Sequence, residues 1–163
     1  MDLSFDIMNT EGDHLMVALS YYDYETISLF STDPLTLTLV FYDVTLIRKA
    51  GDGYVSYRML STVSDVLAKF MDENEDVVLC FYCDADTDVR RNHGDMLPQE
   101  YRSRLFSRMF ERYVKTYNLL GFINHRVEME DPNNSDNRQY AHFICRKEHK
   151  DAVIAIGKML MQK

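Results

Sequence analysis

The chain has 163 residues, 46% hydrophobic and 27% charged, with a net charge of −8 and three cysteines. These totals exclude wholesale disorder and collagen-like repetition, and they predict one domain over residues 1–163 that buries roughly two-thirds of its unfolded surface. The acidic balance predicts no nucleic-acid partner, and the longest apolar run, the seven residues Val77 to Cys83, is far short of the roughly 20 that span a bilayer, so no membrane partner is expected.

The chain opens with Leu3, Phe5 and Ile7 alternating with Ser4 and Asp6, followed by the turn-forming run 9–13 and a second apolar strand from Leu15 to Tyr21. This is the pattern of a β-hairpin. A third short strand is predicted from Thr26 to Phe30, stopped at Pro34. From Leu35 another alternating run leads through Phe41 to Ile47, and Asp43 interrupts it, which predicts a long strand with a bulge or bend near Tyr42. Leu60, Val63, Leu67, Phe70 and Met71 then recur at helical spacing, predicting a helix from about Tyr54 to Met71.

Val77 to Cys83 is apolar without alternation, as a central strand covered on both faces would be. A polar loop follows over 84–95. A helix then begins near Pro98, with Tyr101, Leu105, Met109, Tyr113 and Tyr117 as its expected buried stripe, Phe106, Phe110 and Val114 beside it, and Arg104, Arg108 and Arg112 on another face. Alternation at Ile123, Val127 and Met129, a turn over 131–135, and alternation at Ala141, Phe143 and Cys145 predict a second hairpin, before a last helix from Asp151 to Met161. The order predicts an α/β, or mixed α+β, fold: a central mixed sheet of about six or seven strands with helices on both faces.

An acidic start without an apolar leader predicts a cytoplasmic protein, where three cysteines are free thiols rather than a disulfide framework. Cys80 and Cys83 spell C-x-x-C, but residues three apart on a strand face opposite ways, so two inert core thiols are expected rather than a zinc or redox site. Asp84, Asp86 and Asp88 fail as a calcium loop because Val89 occupies the glycine position, and no metal site is predicted. Residues 1–76 carry 14 acidic and 4 basic groups, whereas six of the eleven arginines lie between Arg90 and Arg112.

Arg48-Lys49-Ala50-Gly51-Asp52-Gly53-Tyr54 sits between a predicted strand and a predicted helix. Glycines allow close backbone approach to an anion, and the first amides of a helix point at it. The pattern Arg48-x-x-Gly51-x-Gly53 resembles the pyrophosphate loop of the GNAT N-acyltransferase superfamily. The order that follows, helix, strand, helix and strand pair, is similar to that fold, and Tyr117 to Phe122 looks like its Tyr-x-x-x-Gly-Phe junction.

The resemblance implies a sheet splayed between the strand ending at Ile47 and the strand Val77 to Cys83, with acetyl-CoA or another acyl-CoA in the gap. Arg48 to Tyr54 would hold the pyrophosphate, and Tyr117 would protonate the departing thiolate. Asp43 and His125 are the candidate bases for a small-molecule or peptide amine. The chain departs from the family in opening with a hairpin where a strand and two helices are usual, and in placing bulky Tyr54 after the glycines.

Two other readings stay open. In one, the glycines only form a strand-to-helix turn and Tyr117 and His125 are core side chains. In the other, the domain is a catalytically silent interaction module that uses the arginine helix, for instance as a homodimer. The chain also resembles small bacterial domains of unassigned function.

Overall fold

A computed structural model describes residues 2–22, 38–51, 57–83, 97–119, 121–134 and 137–161. The predicted strand at Thr26–Phe30, its stop at Pro34, residues Asp52, Gly53 and Tyr54, and the loop 84–95 lie outside the described residues. Six strands form one mixed sheet: β1 (Leu3–Met8), β2 (His14–Tyr21), β3 (Val40–Ala50), β4 (Val77–Cys83), β5 (Phe122–Met129) and β6 (Gln139–Arg146). The spatial order is β1-β2-β3-β4-β6-β5, with β3 and β4 parallel and every other neighbouring pair antiparallel. The mixed α/β expectation holds.

The hairpin β1–β2 is set by its turn. The Asn9 side-chain carbonyl accepts from the amides of Glu11 and Asp13 at 3.0 and 2.9 Å, while its amide donates to the Asp13 carboxylate at 2.9 Å. Among the described residues, the sheet is joined by helices α1 (Tyr57–Glu73), α2 (Pro98–Tyr117) and α3 (Lys150–Met161), the last entered through a 3-10 turn at Lys147–His149. Helix α1 ends where Arg146 of β6 donates to the Met71 carbonyl at 2.9 Å and Asn74 donates to that of Phe70 at 2.7 Å. These donors satisfy carbonyls that have no partner within the helix. Helix α2 starts on Pro98 and stops at Asn118, which adopts the left-handed conformation that closes helices.

The core has two layers. On the first face, under α1, lie Leu15, Val17 and Leu19 of β2, Tyr42 and Val44 of β3, Leu79, Ile144, and Met59, Val63 and Leu67 of α1. On the second face, under α3, lie Phe41, Val78, Cys80, Val127, Phe143, Val153 and Ile156.

Two expectations are corrected. There is no register break near Tyr42, because Asp43 keeps the strand's alternation. The irregularity lies at the far end, where Leu15 pairs with Arg48 but His14 pairs with Ala50, leaving Lys49 as the extra residue. The buried stripe of α2 is also not the tyrosine row. Its fully buried side chains are Gln99 and Ser103, with Phe106 and Phe110 packed on the core, and Tyr117 is 56% exposed. The cause is polar: β5 and β6 present Asn124, Arg126 and His142 to that helix, and hydroxyl and amide side chains are what can meet them.

Candidate functional site

The two central strands pair over only four positions, Val40–Asp43 against Val77–Cys80. After Asp43, β3 continues along β2 as far as Ala50, and after Cys80, β4 continues along β6 as far as Cys83. The facing edges therefore part at Asp43 and Cys80 and make no ladder with each other beyond that point. Strand edges without a ladder offer N–H and C=O groups to an extended ligand.

On the first face a chamber of about 150 Å³ opens beside this divergence. Leu46 of β3 and Leu79 and Phe81 of β4 form its floor, Leu60 to Met71 of α1 one wall, and Phe106 to Val114 of α2 the other. Leu46 is 40% exposed, so the mouth lies at β3 just past the point of divergence. A polar recess lined by Ser61, Ser64, Arg112, Tyr113, Thr116 and Tyr117 shares Ser64, Met109 and Tyr113 with the chamber.

On the second face the divergence is marked by Asp43. It shares that face with Phe41 and stands directly opposite Cys80 in the last parallel pair. Tyr22, held by its amide on the Phe41 carbonyl at 2.9 Å, bonds through its phenol to Tyr82. The negative charge of Asp43 is felt by Tyr22, Cys80 and Tyr82 alike. Burial raises the pKa of the Asp43 carboxyl, which makes it a stronger proton acceptor than a solvated carboxylate. Burial also raises the phenols of Tyr22 and Tyr82 and, most strongly, the Cys80 thiol, which keeps all three neutral.

The glycine turn has an acidic neighbour. The guanidinium of Arg48 lies 3.7 Å from the Asp13 carboxylate. Gly51 has φ +99°, and a Cβ at that position would run into the same carboxylate. Lys49 and Ala50 are exposed. Of the turn's two glycines, Gly51 is among the described residues; it adopts a positive φ and has the Asp13 carboxylate beside it.

The three catalytic candidates occupy three separate places. Asp43 marks the divergence on the second face. Tyr117 is in the polar recess on the first face, its ring 4.6 Å from that of Tyr113. His125 is on the second face under α3, stacked on Phe143 at 6.3 Å and beside Gly157, with its pKa lowered by burial and then by Lys150. That partly buried position is remote in the sheet from the divergence, since β6 separates β5 from β4.

No family model and no curated protein matches this chain. Sequence reasoning missed Tyr22 and Tyr82, which are 60 residues apart and meet only through the β3–β4 pairing. It also missed the hydrogen-bonded set Ser103, Asn124, Arg126 and His142, in which Ser103 and His142 are buried and for which the sequence signal is Gln99, Ser103, Phe106 and Phe110 at four- and three-residue spacing.

Proposed function

We propose that this chain is an acyl-CoA-dependent N-acyltransferase that works at the β3–β4 divergence. The observation that carries the reading is that the two central parallel strands part at a half-buried carboxyl, Asp43, with an apolar chamber on one side of the gap and that carboxyl on the other. The resemblance stated above implies a gap of this kind, and the order of elements supports it.

The facing edges of β3 and β4 fit an extended pantetheine-like arm, and the chamber fits its apolar end. Bound acyl-CoA would supply an acyl carbon activated by its thioester. Asp43 accepts the proton that an attacking amine releases, and burial, by raising its pKa, makes it a better proton acceptor than an ordinary carboxylate. The Tyr117 phenol is the candidate donor to the departing sulfur. Lys49, exposed beside the turn, and Arg48, shared with Asp13, are the cations available to a diphosphate.

Calorimetry with acetyl-CoA tests the reading. Binding is expected, and Asp43→Asn is expected to lower turnover by roughly 10²- to 10⁴-fold while leaving the affinity unchanged. Absence of heat with any CoA thioester overturns it.

That outcome favours the second reading, an interaction module. The exposed Arg104, Arg108 and Arg112 on α2 and the carboxylate set against the glycine turn support it. Arg104 is held by Glu100 at 2.9 Å, which organises rather than neutralises that arginine-rich face.

A further inference from the structure

The chamber on the first face is made of hydrocarbon in a way its composition alone understates. Two hydroxylated residues line it, and both hydroxyls are turned to other partners: Ser64 donates to the Leu60 carbonyl at 3.0 Å and Tyr113 donates to the Asp65 carboxylate at 2.9 Å. What remains facing inward is aliphatic, aromatic and thioether surface. Protein interiors are normally packed without voids larger than a water, and a chamber with an apolar lining of this kind is suited to apolar ligand groups. A chamber of about 150 Å³ matches in size an apolar cavity that accepts a benzene ring, so it has room for on the order of six carbon atoms. An acetyl group would leave most of it empty.

We infer that this chamber houses a linear aliphatic acyl chain of about five or six carbons, entering past Leu46, so that the protein selects a medium-chain acyl group over acetyl. The nature of the chain's head group rests on the acyl-transfer reading above: a thioester held at the divergence would place its tail directly between Leu46 and Phe81. A free carboxylate could offer the same tail, with its head in the polar recess beside Arg112. The chemistry recognised in both cases is the hydrocarbon.

The test compares CoA, acetyl-CoA, hexanoyl-CoA, decanoyl-CoA and sodium hexanoate by calorimetry on the full chain and on Ala68→Leu. Ala68 lines the chamber from α1, and a leucine there fills it without breaking the helix. Hexanoyl-CoA is expected to bind roughly 10²-fold more tightly than acetyl-CoA, from four further buried methylenes, and decanoyl-CoA no more tightly than hexanoyl-CoA. Ala68→Leu is expected to abolish the advantage of hexanoyl-CoA over acetyl-CoA and to raise Tm, which excludes misfolding as the cause. Equal affinity for acetyl- and hexanoyl-CoA overturns the chamber and leaves the transferase reading standing. Binding of hexanoate alone, lost in Ala68→Leu, upholds the chamber and overturns the transferase. Binding of none of the five overturns both.

Discussion

The hydroxyl of Ser103 lies 2.9 Å from His142 Nε2, and both residues are completely buried where α2 meets β6. The bond belongs to a directed chain. Arg126 Nε donates to Ser103 Oγ at 2.7 Å, Ser103 donates to His142 Nε2, His142 Nδ1 donates to the Asn124 carbonyl oxygen at 3.0 Å, and the Asn124 amide donates to Ser107 at 3.3 Å. Because the Asn124 oxygen only accepts, the imidazole is the neutral Nδ1–H tautomer. Ser103 is sealed from solvent, so the chain orients α2 on the sheet rather than attacking a substrate. Phe106, 4.7 Å from the imidazole and 4.4 Å from Phe81, then aligns with the chamber wall.

Acid is expected to destabilise the fold through this imidazole. Burial, and then the Arg126 charge, lower the His142 pKa from 6.5 to about 4. The unfolded chain therefore binds more protons than the folded one between those values. Stability is full above the unfolded value and is lost as pH falls from about 6.5 to about 4, by about 3 kcal/mol in total. His125, also lowered by burial, adds in the same direction. Urea unfolding at pH 7.5 and at pH 5 is expected to differ by about 2 kcal/mol from His142 alone. An imidazole resonance of His142 in the folded protein titrating near its ordinary value would exclude this account.

Ser103→Ala is expected to cost about 1 to 3 kcal/mol, since it strands the buried His142 Nε2 acceptor and removes the Arg126 Nε partner. The loss appears in the urea midpoint with an unchanged m value. A second signature separates it from ordinary packing loss: with no donor at Nε2, the environment of His142 changes and its titration moves. A neutral substitution with an unmoved histidine would mean that α2 is held by its phenylalanines alone.

Local pattern made part of this structure legible. Seven apolar residues in a row with no alternation identified β4 to the residue, since its first four residues are buried on both faces of the sheet. Pro98 likewise marked the start of α2. The inward face of α2 was not legible, because Gln99 and Ser103 are buried only by virtue of what β5 and β6 present, 39 residues away in sequence. The divergence lay at Asp43, but its sequence sign, a charge within an apolar run, fits a bulge equally well. The Arg48–Asp13 pair depends on the extra residue Lys49, which shifts the β2–β3 register at its end, and periodicity carries no information about such a shift.

Asp13→Asn is expected to tighten acyl-CoA binding several-fold. The carboxylate stands beside Gly51 and 3.7 Å from Arg48, where a diphosphate would meet a like charge, and it also engages the guanidinium such a ligand needs. Asparagine is close in shape to aspartate and removes the charge. The gain is limited to about 1 kcal/mol because the pair is partly solvated. Calorimetry at two salt concentrations checks it, with the larger effect at low salt. Unchanged affinity would place the diphosphate away from this turn.

Tyr117→Phe distinguishes a chemical role from a structural one. Its ring is 56% exposed and rests on Tyr113, so removing one hydroxyl leaves the packing intact and stability is expected to stay within about 0.5 kcal/mol. If the phenol protonates the leaving sulfur, turnover falls by roughly 10²- to 10⁴-fold with acyl-CoA affinity preserved. Tyr113→Phe is the control: its hydroxyl is already committed to Asp65, and burial, followed by that carboxylate, raises its pKa, which makes it a poor donor. Its loss is expected to change turnover only a few-fold. Equal rates for wild type and Tyr117→Phe in a rapid-quench measurement of the chemical step would remove Tyr117 from the mechanism and leave Asp43 as the one ionisable side chain assigned to the reaction.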